Sequence, residues 1–424
     1  MEYCLENQTA PLSRGAIAEV IRRHVAAHDW KSVLLLPPDI TRSHSGAGWI
    51  TARYYEELTA RGIPVRVMPA LGTHTAMSRE ECLRMFGDGI PEEAYLVHDF
   101  RRSVTEIGRV DAASVERLSQ GLFCREAPVS VNRELVSGKY DAVLSIGQVI
   151  PHEIAGMAGY TKNIVVGCGG GEMINVSHFL GVYYGLERLL GEADNPVRAL
   201  FDHIQTTLLD PLIPLTFIQT VMVQEGGEDT YRGVYIGRDR SPFEAAAALC
   251  RKVNFTVLDR PAHTCVVWMD PGSYHSTWVT NKAIYRTQLA VEDGGEIIVI
   301  APGVRMFGEN DLADGIIRRY GYLSRETVLR LRETEPVLAE NLSMAGHLIH
   351  GSPEGIRVTY CTDRLSREEV ESVHFGWMSV AEALEAYPCT DWETGWQRAK
   401  DGREVYFVRN AALGMWRCRH GEEE

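Results

Sequence analysis

The side chains with the most chemical potential fall between Ile146 and Phe179, in IGQVIPHEIAGMAGYTKNIVVGCGGGEMINVSHF. His152, Lys162 and His178 surround a glycine-dense loop there, and Lys162 is the only lysine between Tyr140 and Phe179. Its neighbours Met157, Ala158, Gly159 and Tyr160, then Ile164-Val165-Val166, predict partial burial. A lysine in such a setting is either paired or chemically used, for instance in a covalent link to a carbonyl-type carbon. For His178 a structural role and a metal-ligand role stay equally open, because no zinc-type HxxxH or HExxH spacing surrounds it. The loop Gly167-Cys168-Gly169-Gly170-Gly171 precedes an expected helix and is expected to cradle phosphate on backbone N–H groups. It matches neither a P-loop nor GxGxxG after a first strand, so a standard nucleotide fingerprint is missing and a nicotinamide dehydrogenase is disfavoured.

A second set of groups sits just beyond three apolar runs. SVLLLPPDI (32–40) leads into Asp39-Ile40-Thr41-Arg42, IPVRVMPAL (63–71) into Gly72-Thr73-His74, and Tyr140–Gly147 into Gln148 and then His152. Asp39 and Arg42 read as a carboxylate for a ligand hydroxyl beside a guanidinium fork for an anion. A lone histidine is more often structural than catalytic, but two at strand ends can act as opposed acid and base. His24, His28, His98 and His420 lie on or just past a helix, beyond a weak strand, or in the tail, and are assigned no role.

The elements that must position these groups alternate. AIAEVIRRHVAA (16–27) has helical spacing, and VLLL is a continuous apolar run of the kind buried on both faces of a parallel sheet. Helices at Trp49–Arg61 and Ser78–Phe86 interleave with strands at 63–71, 94–97 and 140–147. Ligands are then expected at the C-terminal strand ends of a doubly wound α/β domain. Val182–Leu190 reads as helix, and Phe217–Val223 with Thr230–Ile236 as a hairpin about Gly226–Asp229. Ser241 caps a helix over Pro242–Arg251. The rhythm restarts near Asp259-Arg260-Pro261, with strands at Cys265–Met269, Glu296–Ile300, Ile356–Cys361 and a final one at Val405–Val408. Helices are expected at Trp278–Ala290, Arg325–Ala339 and Ser379–Ala386. The expectation is an α/β protein of two Rossmann-like domains with mainly parallel sheets: 1–259 for catalysis and cofactor, and a smaller 260–424 closing over the substrate, with the active site in the interdomain cleft.

The 424 residues exceed one ordinary core. The net charge of −14 argues against a nucleic-acid partner and requires a local cationic cluster for any anionic substrate. Nine scattered cysteines suggest reduced thiols. With no long apolar run and no signal-like start, the expectation is a cytoplasmic protein without a membrane partner.

Taken together, PDITR at 38–42, GTH at 72–74, PHE at 151–153, Lys162 ten residues after His152 and His178 sixteen further on resemble the nickel-pincer lactate racemase (LarA-type) family of 2-hydroxyacid racemases and epimerases. TNKAIYR at 280–286 stands where that family's second domain contributes. The resemblance implies an isomerase using nickel in a pyridinium-3,5-bisthiocarboxylic acid mononucleotide, the nickel-pincer nucleotide, built by separate cofactor-assembly enzymes. One arm of that cofactor would be tethered to Lys162 and its nickel held by His178. Asp39, Ile40, Thr41 and Arg42 would contact the cofactor. His74 and His152 would be the acid/base pair, and Arg42 and Lys282 would bind a small 2-hydroxyacid. The implied reaction removes the hydroxyl proton while hydride passes reversibly to the cofactor.

Two departures bear on the substrate. Gly159-Tyr160-Thr161 replaces a Gly-Gly-Arg type segment before the lysine, and Val279, next to Trp278, stands where lactate racemases carry a glutamine. Lactate itself is therefore not the expected substrate, and Trp278, Tyr274, His275 and Tyr160 are expected to shape the pocket. Two other classes stay open at this level: a metallohydrolase built on His74, His152 and His178, and a non-catalytic relative that binds a nucleotide or sugar acid.

Overall fold

The VLLL run becomes a strand because both of its faces are covered: Val33, Leu34, Leu35 and Leu36 are all fully buried. In the computed structural model, residues 1–225, 227–412 and 414–419 are described, so Gly226 of the expected hairpin turn and His420 lie outside the described residues. The chain divides into two compact units, Met1–Tyr184 with Leu189–Asn254, and Gly185–Arg188 with Phe255–Glu424.

The first unit is built on a six-stranded sheet of β1 (Tyr3–Glu6), β2 (Val33–Leu36), β3 (Val65–Val67), β4 (Ala142–Gln148), β5 (Leu215–Glu225) and β6 (Glu228–Gly237), in the order β1-β6-β5-β4-β2-β3. The β5-β4-β2-β3 pairings are parallel, and β6 runs antiparallel to both β5 and β1. Alternate residues, Val33 and Leu35, Val65 and Val67, Leu144 and Ile146, face one apolar core. Against that core pack α1 (Arg14–Ala26), through Ile17, Ile21 and Val25, and α2 (Ala47–Thr59), through Ile50, Tyr54 and Leu58. Ser13 caps α1 by accepting from the Ala16 N–H at 3.1 Å.

Three short helices matter for the site: α3 (Thr161–Val165), α4 (Gly171–Tyr184) and α5 (Pro196–Ile204), the last running into a π-turn at Gln205–Leu209. Asn163 of α3 fastens the site helix to the sheet. Its amide donates to the Leu36 carbonyl at 3.1 Å and to Ser145 Oγ at 3.0 Å. Leu36 and Ser145 are register partners in β2 and β4, so one side chain spans the ends of two parallel strands. The third strand end joins through the Gly72 N–H, which donates to the Gly167 carbonyl at 2.8 Å.

The second unit is also a six-stranded sheet, from β7 (Ala262–Trp268), β8 (Val291–Ile300), β9 (Arg357–Cys361), β10 (Gly376–Met378), β11 (Gly395–Arg398) and β12 (Glu404–Val408), ordered β10-β9-β8-β7-β12-β11. All pairings are parallel except β11–β12. Val267, Val299 and Tyr360 face one core, and Val266, Ile298 and Cys361 the other. The protein is thus α/β, with parallel-rich sheets in both units. Among the described residues no helix is long and apolar enough to cross a membrane.

Several expectations need correction. The 94–97 stretch forms no strand but a 3₁₀ turn, Glu92–Ala94, and a single bridge from Tyr95 to Val67. The helix expected over Trp278–Ala290 is broken into α6 (Thr277–Thr280), α7 (Lys282–Tyr285) and a 3₁₀ turn at Gln288–Ala290. The helix from Arg325 stops at Thr334 because Pro336 starts a new one, as a proline favours a first helical turn over an interior. Nor is Val405–Val408 the final strand, since Met415–Cys418 pairs in parallel with Phe255–Leu258.

Replacing Asn163 with Ala removes both bonds and leaves buried acceptors without that donor. The expected loss is about 1–3 kcal/mol, read as a lowered urea midpoint with an unchanged m-value.

Candidate functional site

Beyond β2 the chain turns through Pro37-Pro38, and Asp39 caps a 3₁₀ segment, Ile40–Ser45. The buried Asp39 carboxylate accepts from the Thr41 N–H at 3.2 Å and the Thr41 hydroxyl at 2.5 Å. Its other oxygen meets His74 Nδ1 at 2.5 Å, while the His74 ring is half exposed. Burial pushes the Asp39 carboxyl up, but hydrogen bonds from His74 and Thr41 and the positive charge of Arg42 prevail and hold it below its ordinary range. An ionised Asp39 makes Nδ1 of His74 the proton-bearing nitrogen, so Nε2 carries the lone pair. Arg42 sits at a kink of the 3₁₀ segment, at φ −112° and ψ 29°. Ile40 packs its side chain against the apolar core, which leaves its backbone as the part that can meet a ligand.

His152 is prepared differently. It lies in a two-residue strand, Pro151–His152, paired with Gly156–Met157, and is buried. Nδ1 accepts the Ile154 N–H at 3.1 Å, so the neutral ring carries its proton on Nε2. Burial, reinforced by the positive charges of Lys162, Arg42 and His178 and opposed by Glu153, holds this imidazole well below the usual histidine range. The two histidines are therefore not equivalent: His74 offers a supported base, His152 a neutral donor.

Lys162 lies in the first turn of α3 and is half-buried. The turn before it requires φ +89° at Gly159, where an added Cβ would collide with the Gln219 amide oxygen, and φ +55° at Tyr160. Tyr160 tolerates this because its N–H donates to Gln219 Oε1 at 2.9 Å and its ring packs 4.4 Å from Phe217 and 5.8 Å from Phe243. This corrects the expectation that Tyr160 shapes a substrate pocket: its ring belongs to the core. Burial and the charge of Arg42 lower the Lys162 amine to about 7, against upward pulls from Glu153 and Asp39.

His178 on α4 donates from Nδ1 to the Ile174 carbonyl at 2.6 Å. That fixes the ring and places the lone pair on Nε2, the arrangement common among metal-binding histidines. The glycine loop does not act as foreseen. The N–H groups of Gly167, Cys168, Gly169 and Gly170 already donate to the carbonyls of Lys162, Ile164, Val166 and Ser130. Added Cβ atoms at Gly167 and Gly169 would strike the carbonyl oxygens of Asn163 and Val165. These glycines let α3 turn tightly onto the neighbouring strand, and their amides are not arranged to cradle phosphate.

One contributor escaped the sequence, and another was placed at a strand end without a role. Arg198 of α5 is fully buried, donating to the carbonyls of Met157 at 2.6 Å and Gly159 at 3.4 Å, and so holds the backbone ahead of Lys162. Gln148, at the end of β4, is buried with neither amide atom bonded to a protein group. An arginine on an amphipathic helix carries no sequence signature, whereas Gln148 was marked only by its place after an apolar run. Lys282 belongs to the second unit, where it is half-buried and opens α7.

An amine titrating at about 7 predicts how Lys162 reacts. Labelling by a small acylating reagent, read by mass on the Lys162 peptide, rises as pH passes from 6 to 8 and then levels off. An ordinary lysine, with a pKa of about 10.4, gains throughout that range and beyond.

Residues 14–186 match the family model described as the lactate racemase N-terminal domain. A crystal structure of a protein from Thermotoga maritima is similar over 98% of this chain and 100% of that one, at 24% identity and a TM-score of 0.85. The lactate racemase apoprotein from Thermoanaerobacterium thermosaccharolyticum is similar over 94% of this chain and 92% of that one, at 17% identity and a TM-score of 0.69. Among curated proteins nothing matches. At these identities the two structures speak to the fold. The matched segment runs through Asp39, Arg42, His74, His152, Lys162 and His178, and over that segment the chain is similar to the lactate racemase N-terminal domain.

Proposed function

We propose that the protein is a 2-hydroxyacid racemase or epimerase working with a nickel-pincer nucleotide, and that its substrate is larger than lactate or differently substituted. The observation that carries this reading is that the first unit holds His74 on the Asp39 carboxylate and His152 as acceptor of the Ile154 N–H, together with a lysine amine that burial and Arg42 lower to about 7. The donor set fits the cofactor. Lys162 supplies a nucleophilic amine for its tether, His178 an oriented imidazole for nickel, and Arg42 with the unsatisfied Gln148 amide supplies contacts for its polar edges. When bound, that group supplies a reversible acceptor for the hydride on the substrate's hydroxyl-bearing carbon.

The protein's own residues manage the proton and the charge. His74 takes the hydroxyl proton at Nε2, and the resulting imidazolium rests on the Asp39 carboxylate. His152 donates a hydrogen bond from Nε2 to the same kind of oxygen. To act as the base for the mirror-image centre, its ring must move the proton to Nδ1 and give up the Ile154 bond, an expense of about 1–3 kcal/mol. Arg42 is proposed to bind the carboxylate, supplying positive charge in an acidic protein, and Lys282 is carried as a further proposed substrate-binding residue. The proposal of a larger substrate rests on the sequence departure at Val279, where lactate racemases carry a glutamine; in the second unit Val279 packs with the apolar core and Trp278 stacks on His347 at 3.9 Å.

Production with the cofactor-assembly enzymes and nickel should add the cofactor's mass to the Lys162 peptide. Chiral chromatography over a panel of 2-hydroxyacids should then show inversion at the 2-position. An unmodified Lys162 with no retained nickel would sink the proposal. Asp39→Asn should keep the Lys162 adduct yet lower kcat by about 10²–10⁴-fold, because the His74 proton loses its carboxylate partner.

A further inference from the structure

His24 lies in the last turn of α1, and His28 follows four residues later, just past the end of the helix. The proposed reaction uses neither. His24 is fully buried, enclosed by the rings of Tyr3, Trp30 and Tyr54 at 5.2–5.8 Å, yet its Nε2 has no hydrogen-bond partner. A buried imidazole nitrogen left unsatisfied is unfavourable unless something occupies the position it faces. What it faces is Glu2, whose carboxylate oxygen lies 3.3 Å from His24 Nε2 and 3.8 Å from His28 Nε2. The three ligand atoms lie within 4.8 Å of one another.

The geometry points to a divalent transition-metal site formed by His24 Nε2, His28 Nε2 and the Glu2 carboxylate, with zinc as the best-suited ion and water completing the shell. Two ligand atoms about 2.0–2.1 Å from a tetrahedral ion are about 3.3 Å apart, which matches the His24–Glu2 separation of 3.3 Å, while His28, at 3.8 Å, has to close in slightly on the ion. A direct Nε2–H bond from His24 to Glu2 fits less well, since at 3.3 Å the carboxylate is not aligned to accept it.

The other ring nitrogens are already oriented for this role. His28 Nδ1 donates to the His24 carbonyl at 2.9 Å, which leaves the lone pair on Nε2. His24 Nδ1 shares a bond of 2.8 Å with the Tyr54 hydroxyl. His28 also stacks on Trp30 at 4.4 Å, so its ring is held in plane. Such outer partners fix the rotamer and tautomer of metal-binding imidazoles. Two histidines and one carboxylate form a borderline donor set suited to zinc, and cobalt and nickel also bind such sets. Glu2 is held from its own side, because its N–H donates to the Ile236 carbonyl at 2.7 Å and β1 follows at once. A bound ion would therefore clamp the edge strand β1 to the C-terminal end of α1.

The test uses the untagged full-length protein, made without the cofactor-assembly enzymes and stripped with a chelator. Zn²⁺ is titrated in competition with a chromophoric chelator, and Co²⁺ is titrated while its visible absorption is recorded. The expected result is one tightly held equivalent of zinc, a tetrahedral cobalt spectrum and a raised Tm on adding zinc. Glu2 is exposed and His28 half-buried, so Glu2→Gln and His28→Asn are expected to fold, with the metal-free Tm as the check. Each should weaken zinc at least tenfold and abolish the Tm rise, while His178→Asn leaves both intact. No equivalent bound by the wild type, unchanged binding in the two variants, or binding lost through His178→Asn instead would each overturn the site.

Discussion

A single amide fixes the geometry of the first unit's site. Asn163 donates to a carbonyl at the end of one strand and a hydroxyl at the end of its parallel neighbour, and Lys162 is the residue before it. Asp39 emerges from the first of those strands, and Gln148 and His152 from the second. The bond from Gly72 to Gly167 brings in the strand that ends near His74. Each bond contributes only about 1 kcal/mol net, but together they register three chain segments, far apart in sequence, to one short helix. The position of Lys162 relative to Asp39 and His152 follows from backbone pairing, with little left to side-chain freedom.

Within that frame, burial and charge divide the labour. Arg42 and Lys162 are cations in a largely desolvated corner, answered by Asp39 and Glu153. Four charges held this closely do not all keep solution behaviour. The carboxylate with three supports stays ionised, the amine gives up its proton near neutrality, and the deepest imidazole stays neutral. The chemistry expected of each residue type is selected by which neighbours its strand end delivers.

The sequence disclosed what periodicity and strand punctuation can disclose. The VLLL run, the strand over 142–148 and the groups following them were legible because a doubly covered strand needs unbroken apolar residues and a turn after it. Short helices were not: 278–290 has enough apolar residues to look continuous, yet the backbone breaks at Asn281, which accepts from Tyr360 at 2.6 Å. The glycine loop misled because its composition suits two opposite uses, exposed amides for a ligand or close backbone contact, and only hydrogen-bond partners distinguish them. Arg198 was invisible because its partners are backbone carbonyls, which leave no trace in residue identity. His24 and His28 were passed over because Glu2, which gives them meaning, lies one helix earlier in the chain.

The π-turn at Gln205–Leu209 has a consequence for how this scaffold can change. Gln205 accepts from the Thr161 hydroxyl at 3.0 Å and donates to Asp210 at 2.5 Å, which links the residue before Lys162 across the wide turn. A π-turn holds one residue more than the α-helical repeat, and each residue of an α-helix advances the side chains by about 100°. The segment therefore behaves as a vernier. Deleting one residue there would restore a regular helix and swing Asp210 away from Gln205, loosening the amide that steadies Thr161. Length variation in this segment would reach the reactive lysine through its neighbour, although the varied residues touch no substrate.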